Sequence, residues 1–156
     1  MWLLSVGQRD TCLRNVEELR REYVAEINAL LEADGEKPLA YKTNEDLAGL
    51  NVRLRGVNPS HLEAYRLAEA ERRESGASSV EAQRALVASS VCEVQGIEGP
   101  TGDVTIKADG DDPLPDHALD DMQSVGLVET LATLVFFWQS LPTSKKKRCG
   151  TLQPST

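Results

Sequence analysis

The sequence predicts a mainly α-helical fold, a small domain of five to six helices with a short irregular or β excursion. Aromatic residues make up only 4% of the chain, so its core must be built largely from Leu, Val and Ala, which favours helix packing over an all-β sandwich. Apolar residues also recur at steps of three and four in several segments that begin with capping residues. With 156 residues, of which 40% are hydrophobic, the chain can bury a core without metal or disulfide staples.

The N-terminal region, residues 1–77, is predicted to contain three helices. The clearest amphipathic helix has apolar residues at helical spacing, namely Val16, Leu19, Tyr23, Ile27, Leu30 and Leu31. Gly35 is a natural stop for that helix, and we expect a second, short helix over residues 44–56. A third helix, over residues 59–74, begins with a proline, which costs no hydrogen bond at the first helical position. Its apolar face is thin and its surface is crowded with charge, so it can form an arm or a rim.

The C-terminal region, residues 78–142, is predicted to hold the helical core and an acidic loop. A capped helix carries a stripe of apolar residues that comprises Val80, Leu86, Val87, Val91 and Val94. The excursion follows near residues 96–107. Its last part, residues 104–107, is a short run with strand composition that can pair with residues 94–97 as a small ribbon. A loop rich in Asp, Gly and Pro leads to a short helix and then to the longest apolar run, and residues 143–156 form a solvated tail.

The net charge of −8 is concentrated in one segment. Between Glu93 and Met122 nine acids accompany a single base, Lys107, whereas the remaining residues balance. An acidic chain argues against a nucleic-acid partner, because phosphate binding needs a basic surface. The three cysteines are far apart, odd in number and without zinc-type spacing, which argues against a disulfide framework and favours a reducing cytoplasm. For a viral protein, that compartment would be the host cytoplasm.

Two groups of residues raise the question of a bound cation. The Asp-rich loop fails the EF-hand pattern, because the sixth position counted from Asp109 is Leu114 and not glycine. His117 and Asp121, four residues apart on one helical face, supply only two ligands, and acids in the first turn of a helix are expected from the dipole alone. No phosphate-loop, nucleophile-elbow or zinc-protease motif is present. The sequence therefore predicts no catalytic residue, no metal and no cofactor, and a chain that is not an enzyme.

Residues 124–141 form the longest apolar run and contain both phenylalanines. On a helical wheel, one broad face collects Leu127, Val128, Leu131, Leu134, Val135, Trp138 and Leu141. Phe136 and Phe137 instead flank a polar stripe around Glu129 and Thr133. Either the helix is buried on several sides, or the phenylalanine pair meets another chain. We assign partner contacts, or the support of such contacts, to four residues: Leu134, Phe136, Phe137 and Trp138.

The same apolar run has a membrane alternative. A transmembrane helix needs about 20 apolar residues, whereas this run is shorter and carries Glu129 near its start and Gln139 near its end. The basic residues at positions 145–148 would suit the cytoplasmic flank of a tail anchor. The polar stripe favours a core helix over a membrane span, so we expect a soluble protein without a membrane partner.

The second half of the chain has a distinctive order of segments. It runs from RALVASSV (residues 84–91) through a polar, Gly- and Asp-rich excursion to LPDHALDDMQSVGLVETLATLV (residues 114–135) and LPTSKK (residues 141–146). This layout resembles the tail-assembly chaperones of long-tailed bacteriophages, whereas the charged helices before residue 78 do not match that family. The resemblance implies a small, non-enzymatic cytoplasmic helper that coats a long, apolar, helical tape-measure protein and recruits tail-tube subunits.

The expected function is therefore that of a non-enzymatic, protein-binding assembly factor. Its partner would be another protein, with a tape-measure or tail-tube subunit implied by the resemblance. The expected partners also include a second copy of the chain, in a homo-oligomer. One alternative is a structural component of a phage or other macromolecular assembly, in which the helix packs permanently. The other alternative is a tail-anchored membrane protein.

Overall fold

A computed structural model describes residues 8–10, 12–99, 102–110 and 112–140 of the chain. The helices in these ranges are α1 (Val16–Ala33), α2 (Glu45–Ala48), α3 (Pro59–Ser75), α4 (Val80–Ser90), α5 (Asp116–Ser124) and α6 (Leu127–Ser140). The strands are β1 (Arg14–Asn15), β2 (Asn51–Leu54), β3 (Val91–Gly99) and β4 (Gly102–Lys107). The expectation of a mainly α fold is therefore wrong, because six helices are combined with a four-stranded antiparallel sheet. Leu141 and the predicted tail, residues 143–156, lie outside the described residues.

The sheet has the strand order β1-β2-β3-β4, and each strand is antiparallel to the next. Val52, Val94 and Ile106 lie opposite one another on three neighbouring strands, and the two valines are fully buried. Side chains alternate between the faces of a strand, so the adjacent row belongs to the other face. That row contains Arg53 and Glu93, which form an ion pair at 3.2 Å. The sheet therefore has one apolar face and one polar face.

Two predicted helices are shorter than expected because strands replace their ends. The helix expected over residues 44–56 is reduced to α2, and β2 follows with alternating half-buried and buried side chains. The helix with the valine stripe ends at Ser90, and Val91 and Val94 belong to β3. β-branched residues fit a pleated, half-buried surface well, and here pairing with distant strands decides the conformation over local helical spacing.

The predicted ribbon is confirmed, since β4 pairs with β3 and places Ile106 opposite Val94. The register shifts between Val94 and Ile97, where two residues of β3 lie opposite one residue of β4. This is a β-bulge. Gly96 lies in the bulge with a φ of 95°, and a Cβ atom added there would be 2.0 Å from the carbonyl oxygen of Gly49. The sheet therefore requires glycine at this position, because the turn between α2 and β2 passes directly over it.

The helix starts follow from capping side chains. The side chain of Asn15 accepts a backbone N–H hydrogen bond at the start of α1. The side chain of Asn58 accepts one from Ser60 at 3.0 Å, and Pro59 occupies the first position of α3 as predicted. Gly76, with a φ of 75°, ends α3 in the left-handed conformation that favours glycine.

Helix α6 lies in the core and contacts α1, α4 and α5. Leu131, Val135 and Trp138 are fully buried, as the helical wheel predicted. They share one apolar cluster with the side chains of β2 and β3. From β1, the guanidinium group of Arg14 stacks over the Trp138 ring at 4.8 Å and pairs with Asp10. A cation–π contact of this kind lets a buried arginine pack against the core helix.

Arg55, directly after β2, is a buried arginine that completes the end of α4. Its guanidinium group donates hydrogen bonds to the carbonyl oxygens of Ser89 at 2.9 Å, Ala88 at 3.2 Å and Asp112 at 2.7 Å. The last carbonyls of a helix have no partner within it, and α4 passes directly into a strand, so Arg55 supplies the missing donors. Gln139 of α6 donates in turn to the Arg55 carbonyl at 3.1 Å. One buried arginine thus joins α4, α6 and the loop before α5.

Candidate functional site

The four predicted partner-binding residues of α6 differ in burial. Leu134 and Trp138 are buried, with exposed fractions of 2% and 0%, so they support the helix from the core side. Phe136 and Phe137 are half-buried and lie towards α3 and α1. Any direct contact with another protein through these four residues therefore depends on the phenylalanine pair.

Each phenylalanine packs against a tyrosine of a neighbouring helix. Phe137 meets Tyr23 of α1 edge to face, with 5.2 Å between the ring centroids, and Phe136 meets Tyr65 of α3 at 5.1 Å with the rings tilted by 46°. Both are favourable aromatic arrangements. We call these four side chains the aromatic surface, in which Tyr65 is buried, with 5% of it exposed, and supports Phe136. The wheel identified the two phenylalanines, but it could not identify the tyrosines, because their positions depend on how three helices pack together.

A network of hydrogen bonds holds the Tyr65 side of the aromatic surface in place. Burial raises the pKa of Tyr65, so its hydroxyl group stays protonated and donates to Glu69 at 3.3 Å, with the Thr133 hydroxyl 3.5 Å away. Glu69 also accepts hydrogen bonds from Arg72 at 2.8 Å and from Ser79 at 2.7 Å. The bond from Arg72 is the main reason why the pKa of Glu69 is lowered. The network ties α3 to the start of α4 and to α6.

A second apolar surface lies between β4 and α5. A cleft of about 560 Å³ is lined by apolar side chains of the hairpin and the helix, among them Ile97, Ile106, Ala118 and Met122. Val104 and Val125 also line it, and they are 42% and 73% exposed. We call this surface the edge cleft. The sequence indicated a strand at Val104 but not that this strand ends the sheet, so the cleft was missed.

The described candidate cation ligands do not assemble into a metal site. Across the described ranges, no group of three or more His, Cys, Asp or Glu side chains is placed to hold an ion. His117 and Asp121 both line the edge cleft, where they supply one polar edge to an apolar surface. Asp109 and Asp112 are exposed, and Asp111 lies outside the described residues.

A smaller hollow of about 430 Å³ lies between α4 and the start of α5. Arg84 in this hollow pairs with Asp120 at 2.9 Å. His61 also lines it, and its Nδ1 atom lies 3.0 Å from the hydroxyl oxygen of Ser89. The Ser89 hydroxyl group donates to the Ala85 carbonyl at 2.9 Å, which is ordinary back-bonding of a helical serine. We therefore assign no catalytic role to the His–Ser pair.

The cysteines of the described residues differ in state. Cys92 is a buried, free thiol in β3, and burial raises its pKa, so it stays protonated and unreactive. Its sulfur lies 3.4 Å from the Arg53 carbonyl oxygen. Cys12 is disulfide-bonded.

Comparisons with known proteins give no match. No family model, no curated protein and no solved structure matches the chain. Of the helices in the described ranges, none has both the length and the apolar character needed to cross a membrane.

Proposed function

We propose that the protein is a non-enzymatic, protein-binding assembly factor that holds an apolar helix of its partner on the aromatic surface. The observation that carries the proposal is the pair Phe136 and Phe137. These two residues are adjacent in α6, both are half-buried, and each packs against a tyrosine. Recognition of a helix relies on apolar anchors that form a groove or face. Aromatic rings provide a large contact area at a low cost in conformational entropy.

The residues around the aromatic surface support this function. Leu134 and Trp138, buried on the core side of α6, fix the helix that carries the phenylalanines. A surface that is already ordered loses less entropy when a partner binds. On α3, Glu69 accepts a hydrogen bond from Tyr65 and pairs with the exposed Arg72, which gives this side of the aromatic surface the polar rim that is typical of protein interfaces.

The resemblance to phage tail-assembly chaperones indicates a class of partner. We propose a tape-measure or tail-tube subunit, because a long, apolar, helical protein offers the helix face that aromatic anchors bind. We place the protein in the cytoplasm, that of the host if the protein is viral. Thiol labelling in freshly lysed native cells tests this placement: a labelled Cys12 supports the cytoplasm, and a protected Cys12 contradicts it.

Affinity measurements with Phe137→Ser test the proposed function. The full chain is first captured from its native cell, bound proteins are identified by mass spectrometry, and the identified partner is purified. Titration calorimetry then compares the parent chain with the variant. Truncation of an aromatic anchor costs about 2 kcal/mol or more, so we expect binding to weaken roughly thirtyfold.

Leu67→Ser is the matched control, because it removes an apolar side chain that is 54% exposed on α3 and lies about 200° around that helix from Tyr65. Its affinity should equal that of the parent chain. Circular dichroism is needed for Phe137→Ser, since the variant also loses the contact with Tyr23. A folded Phe137→Ser variant that binds as tightly as the parent contradicts the proposal. Recovery of the protein in purified finished particles would favour the structural-component alternative.

A further inference from the structure

We propose that the protein forms a homodimer through the open edge of β4, with the two copies of the strand paired antiparallel about a twofold axis at Thr105. β4 is the last strand in the sheet, and among the described residues only β3 pairs with it. An edge strand exposes backbone N–H and C=O groups that can pair with another chain. β4 has no proline, and the bulge of this hairpin lies in β3, so the edge lacks two common forms of protection.

The hydrogen bonds at the end of β4 show which of its residues face the open edge. The N–H of Ala108, directly after the strand, donates to the Cys92 carbonyl at 2.9 Å, so its backbone groups face β3. Backbone groups alternate in direction along an antiparallel strand, so those of Ile106 and Val104 also face β3. The backbone groups that face the open edge belong to the remaining residues: Asp103, Thr105 and Lys107.

Self-pairing about Thr105 is complementary along the whole strand. In this register Thr105 lies opposite Thr105 of the second copy, and Lys107 lies opposite Asp103 of the second copy. All of these residues present outward-facing backbone groups, so each pair can form two hydrogen bonds. By sequence order, this register sets a basic position against an acidic one at both ends of the paired segment, and cross-strand positions of opposite charge favour pairing. Shifting the register shortens the overlap and separates these charges.

The edge cleft adds an apolar contribution to the same pairing. Val104 is 42% exposed, and in the proposed register it lies opposite Ile106 of the second copy. Val125, 73% exposed, lines the cleft beside it. Covering these side chains removes apolar surface from water. A second copy of β4 carries the order of charged, apolar and polar residues that matches the first copy in this register. For this reason we propose a second copy, and not a foreign peptide, as the partner of the open edge.

Sedimentation of the full chain and of Thr105→Pro tests the dimer. The parent chain should sediment with the mass of two chains. Proline removes one outward-facing N–H from each copy and leaves the β3–β4 hydrogen bonds in place, so dimerisation should weaken about thirtyfold. Thr105→Val keeps the N–H and the branched side chain, and it should dimerise like the parent. Circular dichroism checks that the proline variant is folded.

Thr105→Cys tests the register without disturbing the backbone. The Cα atoms of a hydrogen-bonded antiparallel pair are about 5.5 Å apart, which a disulfide bond can span. Under oxidising conditions the variant should form a cross-linked dimer, whereas Leu30→Cys, exposed on α1, should not. A parent chain that is monomeric at every concentration overturns the proposal, even if the chain binds a foreign peptide. A dimer that Thr105→Pro does not weaken and Thr105→Cys does not cross-link overturns it as well.

Discussion

The aromatic surface and the edge cleft are both apolar, but different kinds of interaction build them. The aromatic surface consists of side chains on three helices, and each ring has an intramolecular contact. The edge cleft lies beside a strand whose open side presents backbone groups, and its walls are largely aliphatic. A helix face suits the first surface, and an extended strand suits the second. Under the two proposals, the surfaces therefore take partners of different secondary structure.

The difference also shows how each surface would select its partner. Side chains on a helix face recognise shape, so the aromatic surface can accept related apolar helices. A strand edge fixes a register, because a shift by one residue turns every side chain to the other face. Specificity at the edge therefore follows from the order of residues in β4, whereas specificity at the aromatic surface follows from the packing of its rings.

The largest effect is expected from Gly96→Ala, which damages the sheet that carries the edge cleft. An added Cβ atom would lie 2.0 Å from the Gly49 carbonyl oxygen, and the φ of 95° already disfavours any other residue. Because the contact is with backbone, it cannot be relieved by a rotamer change. We expect the free energy of unfolding to fall by about 3 to 5 kcal/mol, as measured by urea denaturation.

Gly102→Ala is the matched control for this substitution. Gly102 also has a positive φ, of 124°, but a Cβ atom added there meets nothing within 4 Å. Only backbone strain remains, so we expect the free energy of unfolding to fall by about 1 kcal/mol. Equal losses for the two variants would show that the approach of the α2–β2 turn to the bulge does not shape this side of the molecule.

An intermediate effect is expected at Glu93, on the polar face of the sheet. Burial acts to raise its pKa, but hydrogen bonds from Gln95 and Arg53 outweigh burial and hold the pKa below its ordinary value. The ionised carboxylate therefore stabilises the fold above the unfolded-state pKa of about 4.3, and this contribution is lost as the pH falls through the lower pKa of the folded state. Glu93→Gln should lower the free energy of unfolding at neutral pH by about 1 to 2 kcal/mol.

The measurement for Glu93 is urea denaturation at several pH values between neutral and strongly acidic. The stability of the parent should decrease more steeply at the acidic end than that of Glu93→Gln. Glu63→Gln serves as the control, because the ion pair of Glu63 with Arg66 is exposed on α3 and exposed pairs contribute little. Parallel acid dependences for the parent and Glu93→Gln would contradict the role of this carboxylate in the sheet.

The parts of the fold that could be predicted from the sequence are those with a local cause. The start of α3 follows from Asn58 and Pro59, and the buried face of α6 follows from its helical spacing. The end of α4 has no such cause. Val87, Val91 and Val94 continue one helical spacing across the boundary, although Val91 already pairs with Leu54. Pairing with a strand about forty residues away overrides the local pattern, and the spacing alone cannot show it.

The two surfaces also differ in how far local sequence determines them. Phe136 and Phe137 could be predicted from the helical wheel, because the angular position of a residue around its own helix depends only on local sequence spacing. Their contacts with Tyr23 and Tyr65 depend on the packing of α1, α3 and α6, for which the sequence offers no rule of comparable strength. The edge cleft exists because the strand order places β4 at the end of the sheet. The sequence predicted β4 as a strand but not its position in the sheet, so it could not predict the cleft.

The smallest effect on stability is expected from Tyr65→Phe, which removes a hydroxyl group from the aromatic surface and keeps the ring. The ring stays against Phe136, while the hydroxyl contacts with Glu69 at 3.3 Å and Thr133 at 3.5 Å are lost. These contacts are long for hydrogen bonds to a hydroxyl group, so the free energy of unfolding should fall by only about 0.5 to 1 kcal/mol in urea denaturation. Affinity for the partner, measured by calorimetry, should stay close to that of the parent, because apolar contact area is kept. If Tyr65→Phe instead weakens binding as strongly as Phe137→Ser, the aromatic surface selects its partner through hydrogen bonds, as the edge of β4 does, and the contrast between the two surfaces fails.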